Sequence, residues 1–254
     1  MSCVLRVQGV DLAVAQRVLV RGLDVTIGAG ERWVILGPNG AGKSTLLATL
    51  AGVRSPQAGI VLLDGHALDA LPVLELAERR ALVIDRWTDP FAARVLDTVL
   101  TARFRFGGRD PDARQRALDS LRALDVLHLQ QQDVRSLSRG ERQRVAIATA
   151  AAQDTPLLLL DEPIAHQDPR HQAWVIDWLR AGLPENRGRT VVASLHDMNA
   201  AARLATHALL LDGRGGWEAG PAQQVLTATR LSRLFATPVA AVEVGGATRF
   251  VAAG

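Results

Sequence analysis

The stretch Arg32-Trp33-Val34-Ile35-Leu36 runs into Gly37-Pro38-Asn39-Gly40-Ala41-Gly42-Lys43-Ser44 and then into Thr45-Leu46-Leu47-Ala48-Thr49-Leu50. The first segment is a compact apolar strand, the second fits G-x-x-x-x-G-K-[ST], and residues 43–50 read as a helix ending near Gly52. Strand, glycine loop and helix together are the context in which this motif is specific. The glycines let the backbone curl and aim N–H groups at phosphate oxygens, while the helix start adds a positive field. Lys43 is then placed to reach β- and γ-phosphates, and the Ser44 hydroxyl to ligate Mg2+. A plain glycine turn between strand and helix would need no cation, yet the only lysine of the chain stands here.

Outward from this segment, Val4, Arg6 and Val10 begin a β-pattern that residues 18–27 continue, with a turn at Gly28 and Gly30. From about residue 90 to 152 the period becomes helical, as in Ala113, Ala117, Leu121 and Leu124, and Asp110 followed by Pro111 predicts a helix start. Strands return at 157–160, 190–194 and 208–211, separated by helical stretches at 171–180 and 199–205. The expectation is one α/β domain over 1–254 carrying a helical insertion at about 90–152.

Composition fits this. The 254 residues are 48% hydrophobic and 22% charged, which excludes a disordered or collagen-like chain. The isoelectric point near 10.2 suggests a nucleic-acid binder until it is set beside a net charge of only +3. Nearly all the bases are arginine and there is no Tyr, so a small arginine excess moves the isoelectric point far without a strongly basic surface. No nucleic-acid footprint is expected. The lone Cys3 and a start without a leader pattern favour a reducing cytoplasm. The longest apolar stretches, 145–152 and 157–160, fall short of the roughly 18 residues a membrane span needs, so a membrane role requires another chain.

Two further segments carry chemistry. Residues 157–160 lead into Asp161 and Glu162, adjacent carboxylates at a strand tip. Asp161 suits the water shell of Mg2+, and Glu162, on the other side of the pleat, suits a general base toward an attacking water. Leu137-Ser138-Arg139-Gly140-Glu141 precedes a helix, and the Ser138 to Glu141 spacing fits a capping box.

Together with Arg142, Gln143 and Arg144, that last segment resembles the signature motif of the ABC ATPase family, in the order relative to Asp161 that the family uses. The resemblance implies a RecA-like P-loop NTPase core with an antiparallel β subdomain and a helical subdomain carrying the signature. It also implies ATP and Mg2+ as ligands, held by residues 37–44 and Thr45, with Ser44, Asp161 and Asp85 as metal candidates. Two subunits of the family pair head to tail, so Ser138, Arg139, Gly140 and Glu141 would meet nucleotide held by the partner's Lys43. Asp168 corresponds to the D-loop aspartate and His196 to the switch histidine, which holds the γ-phosphate and the water activated by Glu162. His66, His128, His166, His171 and His207 receive no role, since no metal-ligand spacing links them.

The departures are specific. Asp85 stands where the family has a glutamine that senses Mg2+ and couples to the membrane partner, and its negative charge would repel the γ-phosphate. Val14-Ala15-Gln16-Arg17-Val18 offers no aromatic for adenine, which would rest on aliphatic side chains. Arg139 replaces a common second glycine of the signature. The stretch from Asp89, Pro90 and Phe91 through Val95, Val99 and Arg103, and the tail from Gly220 to Val239, are similar to importers of iron chelates, haem and cobalamin. The resemblance thus implies a homodimeric ATPase subunit, peripheral on the cytoplasmic face of the membrane. It would drive a separate transmembrane permease with a periplasmic or extracellular solute-binding protein, without direct contact to nucleic acid. The rival reading, favoured by Asp85, is an ABC-type ATPase that acts as a soluble switch or on nucleic acid. A small-molecule kinase or GTPase is opposed by the 138–141 motif.

Overall fold

The computed structural model describes residues 3–85, 92–181 and 188–252. The chain forms two compact units, Met1–Ala70 with Thr190–Gly254, and Leu71–Arg189. The first unit opens with strands β1 (Cys3–Val14), β2 (Arg17–Gly28) and β3 (Arg32–Leu36), helix α1 (Lys43–Leu50), and strands β4 (Ala58–Leu63) and β5 (His66–Ala67). Strands β2, β1, β4 and β5 make an antiparallel sheet in that order. Along β2, Leu23, Val25 and Ile27 are buried while Asp24 and Thr26 are exposed, the alternation of a sheet with one packed face.

The second unit contains α2 (Val73–Arg79), β6 (Arg80–Val83), α3 (Val95–Thr101), α4 (Ala113–Ala123), α5 (Arg139–Ala152), β7 (Leu157–Asp161) and α6 (Pro169–Ala181). Strands β6 and β7 pair in parallel, with Val83 opposite Leu160. Helices α3 and α4 pack on α5, burying Val95, Val99, Ala117, Leu121 and Ile147. The helix start expected at Asp110-Pro111 falls later, at Ala113. Asp110 is drawn into a buried ion pair with Arg103, and its other oxygen accepts from the Asp112 amide at 3.1 Å, so residues 110–112 form a turn instead. Helices α3, α4 and α5 thus share this unit with β6, β7, α2 and α6.

The chain returns to the first unit with β8 (Thr190–Ser194), α7 (Met198–Leu204), β9 (His207–Leu211), β10 (Trp217–Pro221), α8 (Ala222–Val225), α9 (Ala228–Phe235), β11 (Val239–Val244) and β12 (Ala247–Ala252). Strand β3 lies between β8 and β9, parallel to both, and β10 pairs antiparallel with β9. Trp33 through Leu36 and Thr190 through Ser194 are all buried, as continuous apolar strands in the middle of a parallel sheet should be. Ile35 faces Ser194 across the ladder. The segments that follow β3 and β8 therefore leave the sheet side by side at its carboxyl edge, where open α/β sheets place their ligands. The β11–β12 hairpin is tied to α7 through Asn199, whose side chain donates to the Phe250 carbonyl at 3.0 Å and accepts from its amide at 2.8 Å.

Candidate active site

In the first unit the 37–42 loop joins β3 to α1, and its glycines are required by contacts. A β-carbon on Gly37 would lie 2.4 Å from the Leu211 carbonyl oxygen. Gly40 has φ of 75° and Gly42 has φ of 102°, conformations that side chains strain. Gly42 caps α1 without a side-chain bond and no acid lies in the first turn, so the positive end of the helix is left to an anion. Lys43 is only 6% exposed. Its ammonium curls back into the loop, donating to the Gly37 carbonyl at 2.9 Å and the Pro38 carbonyl at 3.4 Å. His196, two residues past the end of β8, brings Nδ1 to 3.4 Å from the same nitrogen. The adjacent Asp197 is structural, accepting from the Ala200 amide at 2.6 Å as the cap of α7. Asn39, Gly40 and Ser44 are exposed and Thr45 is half-buried, while Ala41 is covered.

A residue without a role in the sequence reading joins this loop. Arg17 donates to the Gly213 carbonyl at 3.2 Å, and its other terminal nitrogen lies 3.4 Å from where a β-carbon of Gly40 would be. Gly213 in turn presses on Ala41, leaving a 3.0 Å gap from its own β-carbon position to the Ala41 Cα. The stretch expected to offer adenine only aliphatic surface thus also contributes a guanidinium, with Val14 46% exposed nearby in sequence.

The second unit holds the carboxylates and the 138–141 turn. Strand β7 ends at Asp161, which is buried, and Glu162 leaves it with φ of 49° at 8% exposure. Pleat alternation therefore does not set the direction of Glu162; a left-handed kink does, at a cost of order 1–3 kcal/mol typical of strained functional positions. Gln143 of α5 reaches toward the carbonyls of Glu162 and Asp161, at 3.4 and 3.5 Å. At the head of α5 the capping box is complete. Ser138 Oγ accepts from the Glu141 amide at 3.3 Å, and Glu141 accepts from the Ser138 amide at 2.9 Å and hydroxyl at 2.7 Å. Those bonds, the hydroxyl first, hold the Glu141 carboxyl below the usual glutamate value. Ser138 and Arg139 are exposed, whereas Gly140 is buried against His166.

Asp168 caps α6. It accepts from the His171 amide at 2.9 Å and pairs with His171 Nδ1 at 2.7 Å, which lowers its carboxyl below the ordinary range. Asp85 is exposed just past β6. The residues Trp87, Asp89, Pro90 and Phe91 lie outside the described residues. One unit therefore brings together the 37–45 loop, Lys43, His196 and Arg17, and the other Asp161, Glu162, the 138–141 turn and Asp168. The Ser44 hydroxyl and the Asp161 carboxylate are hard oxygen donors of the kind Mg2+ takes.

Residues 20–165 match the ABC transporter family. The chain is 42% identical over 236 residues to a hemin import ATP-binding protein of Nocardia farcinica, covering 89% of this chain and 78% of that protein. Among solved structures, one described as a metal-chelate type ABC transporter in an inward-facing conformation superposes with a TM-score of 0.84 at 29% identity, covering 100% of this chain and 98% of that chain. A dimeric ATP-binding cassette in a post-hydrolysis state with ADP and Pi gives 0.75 at 26% identity, covering 85% and 98%. These relatives do not favour the soluble-switch reading.

Proposed function

The chain belongs to the ABC transporter family as an ATPase subunit, and from that premise we propose that it works as a head-to-tail homodimer. It hydrolyses MgATP to drive import of an iron chelate, haem or cobalamin through separate membrane-spanning subunits. The observation that carries the ATPase reading is Lys43, with its ammonium inside the phosphate loop 3.4 Å from His196 Nδ1, and the hemin import relative supports the transport reading. On binding ATP, Lys43 exchanges the Gly37 and Pro38 carbonyls for β- and γ-phosphate oxygens, the 37–45 amides cradle the remaining oxygens, and His196 bonds the γ-phosphate. Glu162 accepts a proton from water as the water oxygen attacks the γ-phosphorus and the bond to the bridging oxygen breaks, releasing ADP and phosphate. Ser44 and Asp161, with Asp85 as a third candidate, would hold Mg2+, which neutralises phosphate charge when bound.

The second copy supplies Ser138, Arg139, Gly140 and Glu141 to this nucleotide, and Asp168 stands where the two copies meet. Asp85 belongs to the loop that couples to the permease. Among the described residues no helix is long and apolar enough to cross a membrane. The subunit then sits on the cytoplasmic face against its permease, served by a solute-binding protein outside. Reconstitution with the permease in liposomes tests this: haem, an iron chelate or cobalamin should stimulate hydrolysis and accumulate with ATP. Hydrolysis indifferent to all three would refute the assignment of the solute.

A further inference from the structure

Histidine 171 has no part in the chemistry above, yet it joins three pieces of the Leu71–Arg189 unit. Its Nδ1 lies 2.7 Å from Asp168 Oδ2, and its Nε2 lies 3.5 Å from Asp125 Oδ2. Asp125 follows the end of α4 with φ of 55°, a left-handed turn that sends the chain away from the helix axis. One helical turn further along α6, Trp174 Nε1 donates to the Ala123 carbonyl at 2.8 Å. His171 and Trp174 share a face of α6 by their spacing, so that face meets the end of α4 at two points, the indole bond and an imidazole contact that attracts Asp125 when both ring nitrogens carry protons. Burial lowers the guanidinium pKa of Arg144 in α5, and the negative charges of Glu141, Asp125 and Asp168 oppose that shift.

The loop before α6 is held on its other side as well. His166 has φ of 60°, and its carbonyl lies against Gly140 of α5. Residues 162–168 are thus gripped between α5 and the α4 end, while the side chains of His166 and Asp168 remain exposed. Asp168 could cap α6 with its own backbone geometry alone; the link onward to Asp125 is what an ordinary cap does not need.

We infer that His171 is a positioning residue, which fixes the Asp168 loop to the end of α4 so that the α3–α5 helices and the dimer-forming loop move together. The inference rests on the dimeric ATPase reading. An asparagine at this position can still donate to Asp168 but is too short to reach Asp125, and a leucine does neither.

The test compares full chains carrying His171→Asn or His171→Leu with the unaltered chain, for kcat and KM of ATP hydrolysis. Pairing on ATP is measured by light scattering, each in a Glu162→Gln background, below the unfolding midpoint of every variant. The expected order of kcat and of pairing is wild type, then asparagine, then leucine. The leucine variant should lose about tenfold or more, with KM within about twofold, as for a misplaced group that does not bind substrate. Leucine equal to wild type, or asparagine equal to leucine, would overturn the inference. If the leucine variant does not fold, asparagine matching wild type overturns it. Failure of Glu162→Gln with His171 intact to pair overturns the dimer reading and the inference together, whereas equal pairing of all three overturns the inference alone.

Discussion

A β-carbon on Gly140 would lie 2.8 Å from the carbonyl oxygen of His166, so the head of α5 touches the 162–168 loop of its own chain through a residue without a side chain. Glycine at this position of the signature turn is favoured by the packing of its own chain, before any partner arrives. Gly140→Ala must push the loop or the helix aside, an overpacking cost of about 1–3 kcal/mol. At roughly 2–4 °C per kcal/mol for a chain of this size, thermal unfolding of the isolated variant should fall by several degrees. An unchanged midpoint would mean that the contact relaxes freely.

The Ser138–Glu141 box adds a pH dependence. Its Glu141 carboxyl lies below the ordinary 4.5 in the folded chain because the Ser138 hydroxyl and amide bond its charged form. A depressed acid contributes stability that is complete above its unfolded value and lost as pH falls through the folded one. Ser138→Ala should cost about 0.5–2 kcal/mol at neutral pH. That difference from wild type should shrink as unfolding is measured from pH 6 toward pH 3. A difference constant across this range would contradict the assignment.

Glu162 combines strain with chemistry. Both Glu162→Ala and Glu162→Gly remove the carboxylate and should lower turnover by about 10²–10⁴. They differ in the left-handed backbone, which costs an L-residue roughly 1–2 kcal/mol and glycine little. The glycine variant should therefore unfold about 2–8 °C above the alanine variant. Equal midpoints would show that the kink at 49° relaxes in the variants.

Arg17 places a cation beside Gly40 in the phosphate loop. Arg17→Ala removes about 1 kcal/mol of attraction for the triphosphate in a solvent-exposed setting, so ATP should bind roughly fivefold more weakly. The loss should fade with added salt, because exposed charges are screened over about 8–10 Å. A loss independent of salt would point to loop packing against Gly213 as the cause.

The phosphate loop was legible because its glycines, lysine and flanking strand carry their requirements locally. The same holds for the capping box, whose partners stand three residues apart. Asp168 was found by its place in a motif, although the property visible in its contacts is the capping of α6 ahead of Pro169. His171 and Arg17 were missed for a common reason: each is explained by residues distant in sequence, Asp125 for one and Gly213 for the other. No spacing rule reaches that far. The helix start expected at Asp110 falls two residues early: one Asp110 oxygen does accept from the Asp112 amide, but the other is held by Arg103, and regular helix begins only at Ala113. The αL conformation of Glu162 had no sequence signal, because glycine or asparagine is the usual occupant of such a turn.

The central claim is that ATP closes two copies of this chain on each other. Light scattering of Glu162→Gln with and without MgATP measures it directly, with Ser138→Arg added as the variant that blocks the turn. The account predicts a monomer without nucleotide, a dimer with ATP, and a monomer that still binds ATP when Ser138→Arg is present. A chain that stays monomeric with saturating ATP, or a dimer indifferent to Ser138→Arg, would contradict it.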